Sequence, residues 1–339
     1  MTLARTLLLT GTAGLGILCL VPLALFLALP ENQALFWIGN ILARALIYGI
    51  IALSLTFLAT YGGFVSLAQM MVAGIAGYVL AMTVQGAVPV IIGGFGYPMA
   101  ILMALLASVL AGLAVGAIAV RTNDIYLLMI TLALAVGFYR FVESNIDLFN
   151  GYEGIRNVLG PDILGRRFRD PMVFYTIASG TALLLYLGVL FLVRTPFGLA
   201  LQGIRDNPRR ISALGYNVVL HRIVAFGIAG FIAGCGGVLA TIYNIGISPG
   251  SIGLGATINL LIMSVVGGLG HPVGAFVGSL IFAIFDTFAA SLYDRDRFNS
   301  LIGAVFLVIV LISPDGALGL SRRLGRLLRG KPKPGAPPA

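Results

Sequence analysis

The chain is a succession of apolar runs, each about twenty residues long, separated by short charged or Gly/Pro-rich stretches. At about 1.5 Å per residue, a helix of that length crosses roughly 30 Å of hydrocarbon. Runs of this kind, repeated along the chain, point to an all-α polytopic bundle of transmembrane helices. A transmembrane β-barrel would alternate apolar and polar residues over strands of about ten residues, and no such alternation is present. Composition closes the soluble alternative. Asp, Glu, Lys and Arg make up 10% of the chain and the apolar set 59%, whereas a soluble domain needs about 25% charged residues to cover its surface. The low charge equally argues against disorder.

Reading the runs against charges and breakers predicts spans near 7–29, 36–59, 69–86, 98–119, 125–142, 172–193, 223–246, 254–270, 273–292 and 299–313. The eighth and tenth are short for a spanning helix, which calls for tilt, a break or re-entry. The bundle is therefore expected to hold about ten helices with broken or re-entrant segments. The first run, Leu7 to Leu29, follows Arg5 but lacks a clear small-x-small cleavage site before Pro30, so it reads as a retained helix.

An even number of crossings puts both termini on one side, and charge says which. With the N-terminus inside, the inner segments carry thirteen basic residues (Arg5, Arg121, Arg194, Arg205, Arg209, Arg210, Arg222, Arg322, Arg323, Arg326, Arg329, Lys331, Lys333) against Asp124, Asp206 and Asp315. The outer segments carry seven basic residues, counting Arg140, against eight acidic ones that include Glu31, Glu143, Asp147, Glu153 and Asp162. That asymmetry obeys the positive-inside rule. Residues 1–321 thus form a transmembrane domain, and 322–339 a basic, Pro-rich, disordered cytoplasmic tail.

Several chemistries are absent. The formal charge of +9 is spread over span ends with no aromatic-interleaved basic face, so nucleic acid is not a partner. Cys19 and Cys235 both lie in apolar runs and offer neither a disulfide framework nor metal-ligand spacing. A P-loop requires a lysine at the end of a Gly-rich loop, yet the only lysines are Lys331 and Lys333 in the tail. His221 and His271 stand at inner span ends without a serine, cysteine or acidic cluster beside them.

Asp286 is the only carboxylate well inside a predicted span, and Arg44 the only basic residue at comparable depth. A charge at the centre of a membrane helix costs on the order of 3 kcal/mol on the insertion scale. Both residues fall in the outer half of their spans, so they either pair, snorkel to the interface, or serve the substrate path. The longest inner loop, "RTPFGLALQGIRDNPRRISALGYNVVLHR" (194–222), suits a short surface helix. Asn207-Pro208 starts it, Ile211 and Leu214 give it an apolar face, and Gly215 ends it. Such a loop either fixes topology alone or docks a cytoplasmic partner.

Here the chain resembles the permease subunits of branched-chain amino acid ABC importers, the M-type subunit more than the H-type. The resemblance is carried by "GIRDNPRRISALGYN" (203–217), "AFGIAGFIAGCGGVLA" (225–240), "VVGGLGHPVGAFVGSLIF" (265–282), "YGGFVSLAQMMVAGIAGYVLA" (61–81) and "RTNDIYLLMITLALA" (121–135), and it covers most of the chain from about residue 40 to 320. It implies that the inner loop, 198–217, docks on an ATPase subunit, with Arg205, Asp206, Arg209, Arg210 and Gly215 as contact residues. Importers of this kind mark the loop with a Glu-Ala-Ala triplet and a glycine four residues beyond it. Gly215 stands at that glycine, but Arg209, Arg210 and Ile211 stand where the triplet would be, and Asp206 is the nearest acid.

The glycines divide into two groups. Gly230, Gly234 and Gly237 recur at three- and four-residue spacing, as helix packing in a bilayer requires. Gly62-Gly63 and the Gly267-Gly268-x-Gly270 cluster put glycines side by side and read as helix breaks. Freed backbone groups at membrane depth are tolerated in a wet cavity or inside protein. Gly62, Gly63, Ser66, Gln69, Asn259, Gly267, Gly268 and Gly270 are therefore expected to border a translocation path, unless Ser66, Gln69 and Asn259 only bond other helices. The outer loop 143–171 is long enough to be functional, and the resemblance makes it a docking surface for an extracytoplasmic substrate-binding protein.

The expected function is the permease subunit of an ABC importer for branched-chain or related hydrophobic amino acids in a bacterial inner membrane. It would be no enzyme and hold no cofactor of its own. It would pair with a second related permease, two cytoplasmic ATPase subunits that bind the ATP, and a binding protein, all embedded in or bordering membrane lipid. Permeases of the same type import urea or short-chain amides, and a stand-alone channel or ion-coupled carrier is the alternative of a different class.

Overall fold

The computed structural model describes residues 30–85, 97–122, 124–161 and 170–292. The expected first and tenth spans and the tail lie outside these residues. Eight helices of the bundle fall on the other eight expected spans: α1 (Gln33–Gly62), α2 (Gln69–Val84), α3 (Tyr97–Ala119), α4 (Asp124–Ser144), α6 (Pro171–Arg194), α9 (Val218–Tyr243), α10 (Leu254–Gly267) and α11 (Val273–Leu292). Six of these stretches, the last beginning at Pro249, are long and apolar enough to cross a membrane. The apolar parts of α2 and α11 are shorter, 69–84 and 273–287.

Between the long helices lie a short α5 (Ile146–Phe149), and α7 (Pro196–Asp206) with α8 (Pro208–Ala213) in the inner loop. Ile155–Arg156 (β1) and Gly246–Ile247 (β2) form an antiparallel pair with Ile155 opposite Ile247. This pair departs from the all-helical expectation. It joins the outer loop to the segment after α9, and Ile155, Val158 and Ile247 there close a small apolar cluster with Tyr78 and Ile252.

The bundle is sorted by solvent. In α1, 89% of the most apolar window is buried, against 22–28% in α3, α4 and α6. The outer helices present Leu102, Leu106 and Leu110, or Leu184, Leu187 and Phe191, to the surroundings. A lipid tail is as apolar as leucine, so exposing these faces carries no penalty in a membrane, and close packing must come from shape.

Glycine supplies that shape. A Cβ at Gly230 would sit 2.6 Å from the Ser108 carbonyl and 3.1 Å from the Gly112 Cα, so α9 and α3 cross backbone against backbone. Gly234 also meets Ser108 of α3, Gly237 faces the Ala73 carbonyl of α2, and Gly236 faces Ile51 of α1. The expected small-residue packing is therefore present along the face that carries Gly230, Gly234 and Gly237, and Gly236 adds a close contact on another face of α9. Gly267 of α10 packs on Gly274 and Gly278 of α11 in the same way. Buried hydroxyls tie helices or cap their own backbone, as with Ser279 Oγ, which donates to the Ala45 carbonyl at 2.7 Å.

Candidate functional site

The inner loop is built from local capping signals. Thr195 Oγ1 accepts from the Gly198 N–H at 3.4 Å and Pro196 takes the first turn of α7. Asn207 Oδ1 accepts from the Arg210 N–H at 3.1 Å and Pro208 opens α8. Asn217 Oδ1 accepts from the Leu220 N–H at 3.1 Å to start α9. Each cap satisfies a donor that a helix start leaves orphaned, and proline at N1 sacrifices no bond. Gly215 ends α8 at φ +91°, with Tyr216 N donating to the Ile211 carbonyl and Gly215 N to the Ser212 carbonyl. This is a Schellman cap, which needs a left-handed residue at that position.

The expected helix at 208–213 is present, and α7 precedes it. The sequence reading missed α7, although Thr195-Pro196 repeats the Asn207-Pro208 signal twelve residues earlier. Ala200, Leu201 and Ile204 of α7 are buried, while Arg205, Asp206, Arg209, Arg210 and Gly215 are exposed. Ile211 tucks against Gly203, whereas Leu214 is 68% exposed, so the expected apolar face of α8 is split. The Phe197 and His221 rings stack with centroids 5.5 Å apart, and Tyr216 meets His221 edge-on, fixing the loop to the start of α9. The loop is thus a rigid exposed basic knob.

Both glycine breaks lie at this same end of the bundle. Gly63 ends α1 at φ +76°, and Gly268 ends α10 at φ +106°. The Arg205 side chain crosses over Gly63, where no Cβ intervenes. Arg205 Nη1 donates to the Thr60 carbonyl at 2.5 Å, and Thr60 Oγ1 donates to the Leu269 carbonyl at 2.5 Å. Asp206 Oδ1 accepts from Arg205 Nε at 3.1 Å and pairs with Nη2 at 3.0 Å. Thr60 escaped the sequence reading because a lone threonine at a span end carries no pattern.

The other expected path residues are placed differently. Ser66 and Gln69 are buried; Ser54 Oγ of α1 donates to Gln69 Oε1 at 3.1 Å, and Ser66 Oγ accepts from the Ala68 N–H at 3.3 Å. Of the two roles open to Gln69, this conformation displays the helix-to-helix bond. Asn259 is half-buried on α10, and Gly62 and Gly267 are buried beside their breaks, while Gly270 is exposed with open space around it. Away from the loop, Arg44 Nη1 and Asp286 Oδ2 lie 2.5 Å apart, with side chains 37% and 23% exposed. The Arg44 guanidinium also lies 5.9 Å from the Tyr48 ring centroid.

The profile of the family described as the permease component of the branched-chain amino acid transport system matches residues 37–311. The chain belongs to this permease family. It is 28% identical over 247 residues to a probable branched-chain amino acid transport permease protein LivM of Methanocaldococcus jannaschii, covering 66% of this chain and 69% of the relative. The LivH protein of the same organism is 29% identical over 200 residues, 56% of each chain. An autoinducer 2 import system permease protein LsrC of Enterobacter sp. (strain 638) is 28% identical over 233 residues, covering 66% of this chain and 65% of that one. No solved structure matches the chain.

The permease is accordingly a multi-pass membrane protein whose relatives are components of ABC importers. Its end opposite the inner loop is also folded. The β1–β2 pair holds residues 155–156 of the outer loop, Tyr243 Oη donates to the Gly39 carbonyl at 3.1 Å, and a cavity of about 330 Å³ opens between Asn40, Leu159 and Tyr243. Gly39 and Asn40 sit in a π-helical stretch of α1, Trp37–Leu42, and Thr60 in a second, Leu58–Gly62. Widened turns of this kind occur often at functional sites. Among the described residues, no group of three or more His, Cys, Asp or Glu could hold a metal ion.

Proposed function

We propose that this permease is the transmembrane subunit of an ABC importer that takes up branched-chain or related hydrophobic amino acids by alternating access. The observation that carries the proposal is the inner loop: a rigid, capped, basic knob that stands exposed at the end of the bundle where α1 and α10 break at glycine. A knob of this form suits docking on a cytoplasmic partner, and the chain offers no P-loop of its own. The energy source is then a pair of separate ATPase subunits that bind the ATP, and this chain is no enzyme and needs no cofactor.

In this proposal residues 1–321 form a ten-crossing domain in a bacterial inner membrane with both termini cytoplasmic, and 322–339 form the tail. Arg205, Asp206, Arg209, Arg210 and Gly215 make the ATPase contact, with basic residues replacing the acidic triplet. A second related permease encloses the path. Gly62, Gly63, Gly267, Gly268 and Gly270 border its inner end, Ser66 and Gln69 hold α2 to its neighbours, and Asn259 and the Arg44–Asp286 pair stand along it. Loop 143–171 receives an extracytoplasmic binding protein.

The similarity to an autoinducer 2 permease at the same identity as to LivM supports a second reading of the substrate, in which the same machinery carries another small solute. Purification from native membranes in mild detergent, repeated after deleting 203–217, tests the main proposal. Recovery of a second permease and ATPases that is lost on deletion supports it. A lone, transport-competent protein refutes it in favour of a channel or carrier.

A further inference from the structure

A docking knob moves a membrane path when it is bonded to the helices it must move. Here the connection runs through two side chains. The four carbonyls at a helix C-terminus lack intrahelical donors, and a cation there also meets the negative end of the helix dipole. The Thr60 carbonyl at the end of α1 is such a group, and the Arg205 guanidinium reaches it from α7 at 2.5 Å. Asp206 holds the guanidinium fork from its other side at 3.0–3.1 Å. The Arg205 stem packs on Gly63, so the site tolerates no side chain there. Thr60 then turns its hydroxyl away from the loop and donates to the Leu269 carbonyl at 2.5 Å, in the turn between α10 and α11.

Thr60 joins two helix ends, accepting from Arg205 through its carbonyl and donating to Leu269 through its hydroxyl, and each end is loosened by a glycine at positive φ, Gly63 at +76° and Gly268 at +106°. A backbone that can turn at glycine responds to a pull with little strain. We propose that Arg205 and Thr60 form a transmission relay. Motion of the exposed loop is passed by Arg205 to the end of α1 and by the Thr60 hydroxyl to the α10–α11 turn, so both breaks move together. Thr60 is a positioning residue: it acts through the Arg205 guanidinium and the Leu269 carbonyl that it bonds. The inference rests on the importer function proposed above and names the residues by which that function is coupled.

The test uses the whole complex, purified with its ATPase and binding-protein partners and reconstituted in lipid vesicles. Uptake of leucine and hydrolysis of ATP are measured on the same preparation for the wild type, Thr60→Val and Thr60→Ser. Valine preserves volume and removes the hydroxyl, so one hydrogen bond is lost and little else. The expected result is a fall of about fivefold in uptake per ATP hydrolysed, the size expected for one net hydrogen bond, with assembly and hydrolysis held near wild type. Serine restores the hydroxyl and the ratio.

A Thr60→Val complex with wild-type uptake per ATP overturns the relay. So does one that loses uptake and hydrolysis in equal proportion, which is how a merely structural residue behaves. A wild-type chain that carries leucine with no ATPase bound would instead overturn the importer function itself, and it is separated from the first two outcomes by the wild-type control.

Discussion

Replacing Gly230 with alanine tests whether the α9–α3 crossing is set by backbone contact. The new Cβ would lie 2.6 Å from the Ser108 carbonyl oxygen and 3.1 Å from the Gly112 Cα. Ordinary contact begins near 3.4 Å, so the helices must part by close to 1 Å, since neither backbone can yield alone. A gap of about 0.5–1 Å forfeits a quarter to a half of each dispersion contact of about 0.1–0.2 kcal/mol, which over some 40 atom pairs along the seam amounts to about 2 kcal/mol. That agrees with the range of about 1–3 kcal/mol for overpacking a tight site. Gly188 on α6 is the matched control, because a Cβ there meets nothing within 4 Å. Gly188→Ala should be neutral or stabilising by up to about 1 kcal/mol through helix propensity. Unfolding in detergent, followed thermally or by titration with a denaturing detergent, should therefore give opposite signs for the two variants. Adding Gly112→Ala to Gly230→Ala should cost less than the sum, because one separation relieves both clashes. Equal effects of Gly230→Ala and Gly188→Ala, or strict additivity of the crossing pair, would refute the backbone-contact argument.

Arg44→Ala and Asp286→Ala should each destabilise by up to about 3 kcal/mol, because each leaves an uncompensated charge at membrane depth. The double variant should recover at least about 1 kcal/mol of the sum, and additivity within about 0.5 kcal/mol would show that the 2.5 Å pair contributes no coupling. Asn207→Ala removes the cap of α8 and should weaken that turn by about 1 kcal/mol. Faster proteolytic nicking of the loop near 207–213, with the bundle intact, would display it, and an unchanged nicking rate would mean the cap bond at 3.1 Å does not hold α8.

The parts of this permease legible in the sequence are those decided within a few residues. Hydrocarbon thickness is a local criterion, so eight of the expected spans meet helices whose ends differ by five residues or fewer. Asn207-Pro208 and Gly215 gave α8 for the same reason, and the paired glycines gave both breaks. What only the tertiary structure decided is who meets whom. Gly230 facing Gly112, Thr60 bonding Leu269 and Ile155 paired with Ile247 join residues far apart in the chain, and Gln69 turned toward Ser54 joins one helix to the next. In water an apolar stripe would have pointed each helix toward its neighbour. In this bundle the helices are apolar on nearly every face, so the choice of partner rests on small residues and single hydrogen bonds, and those act only once the helices are in contact.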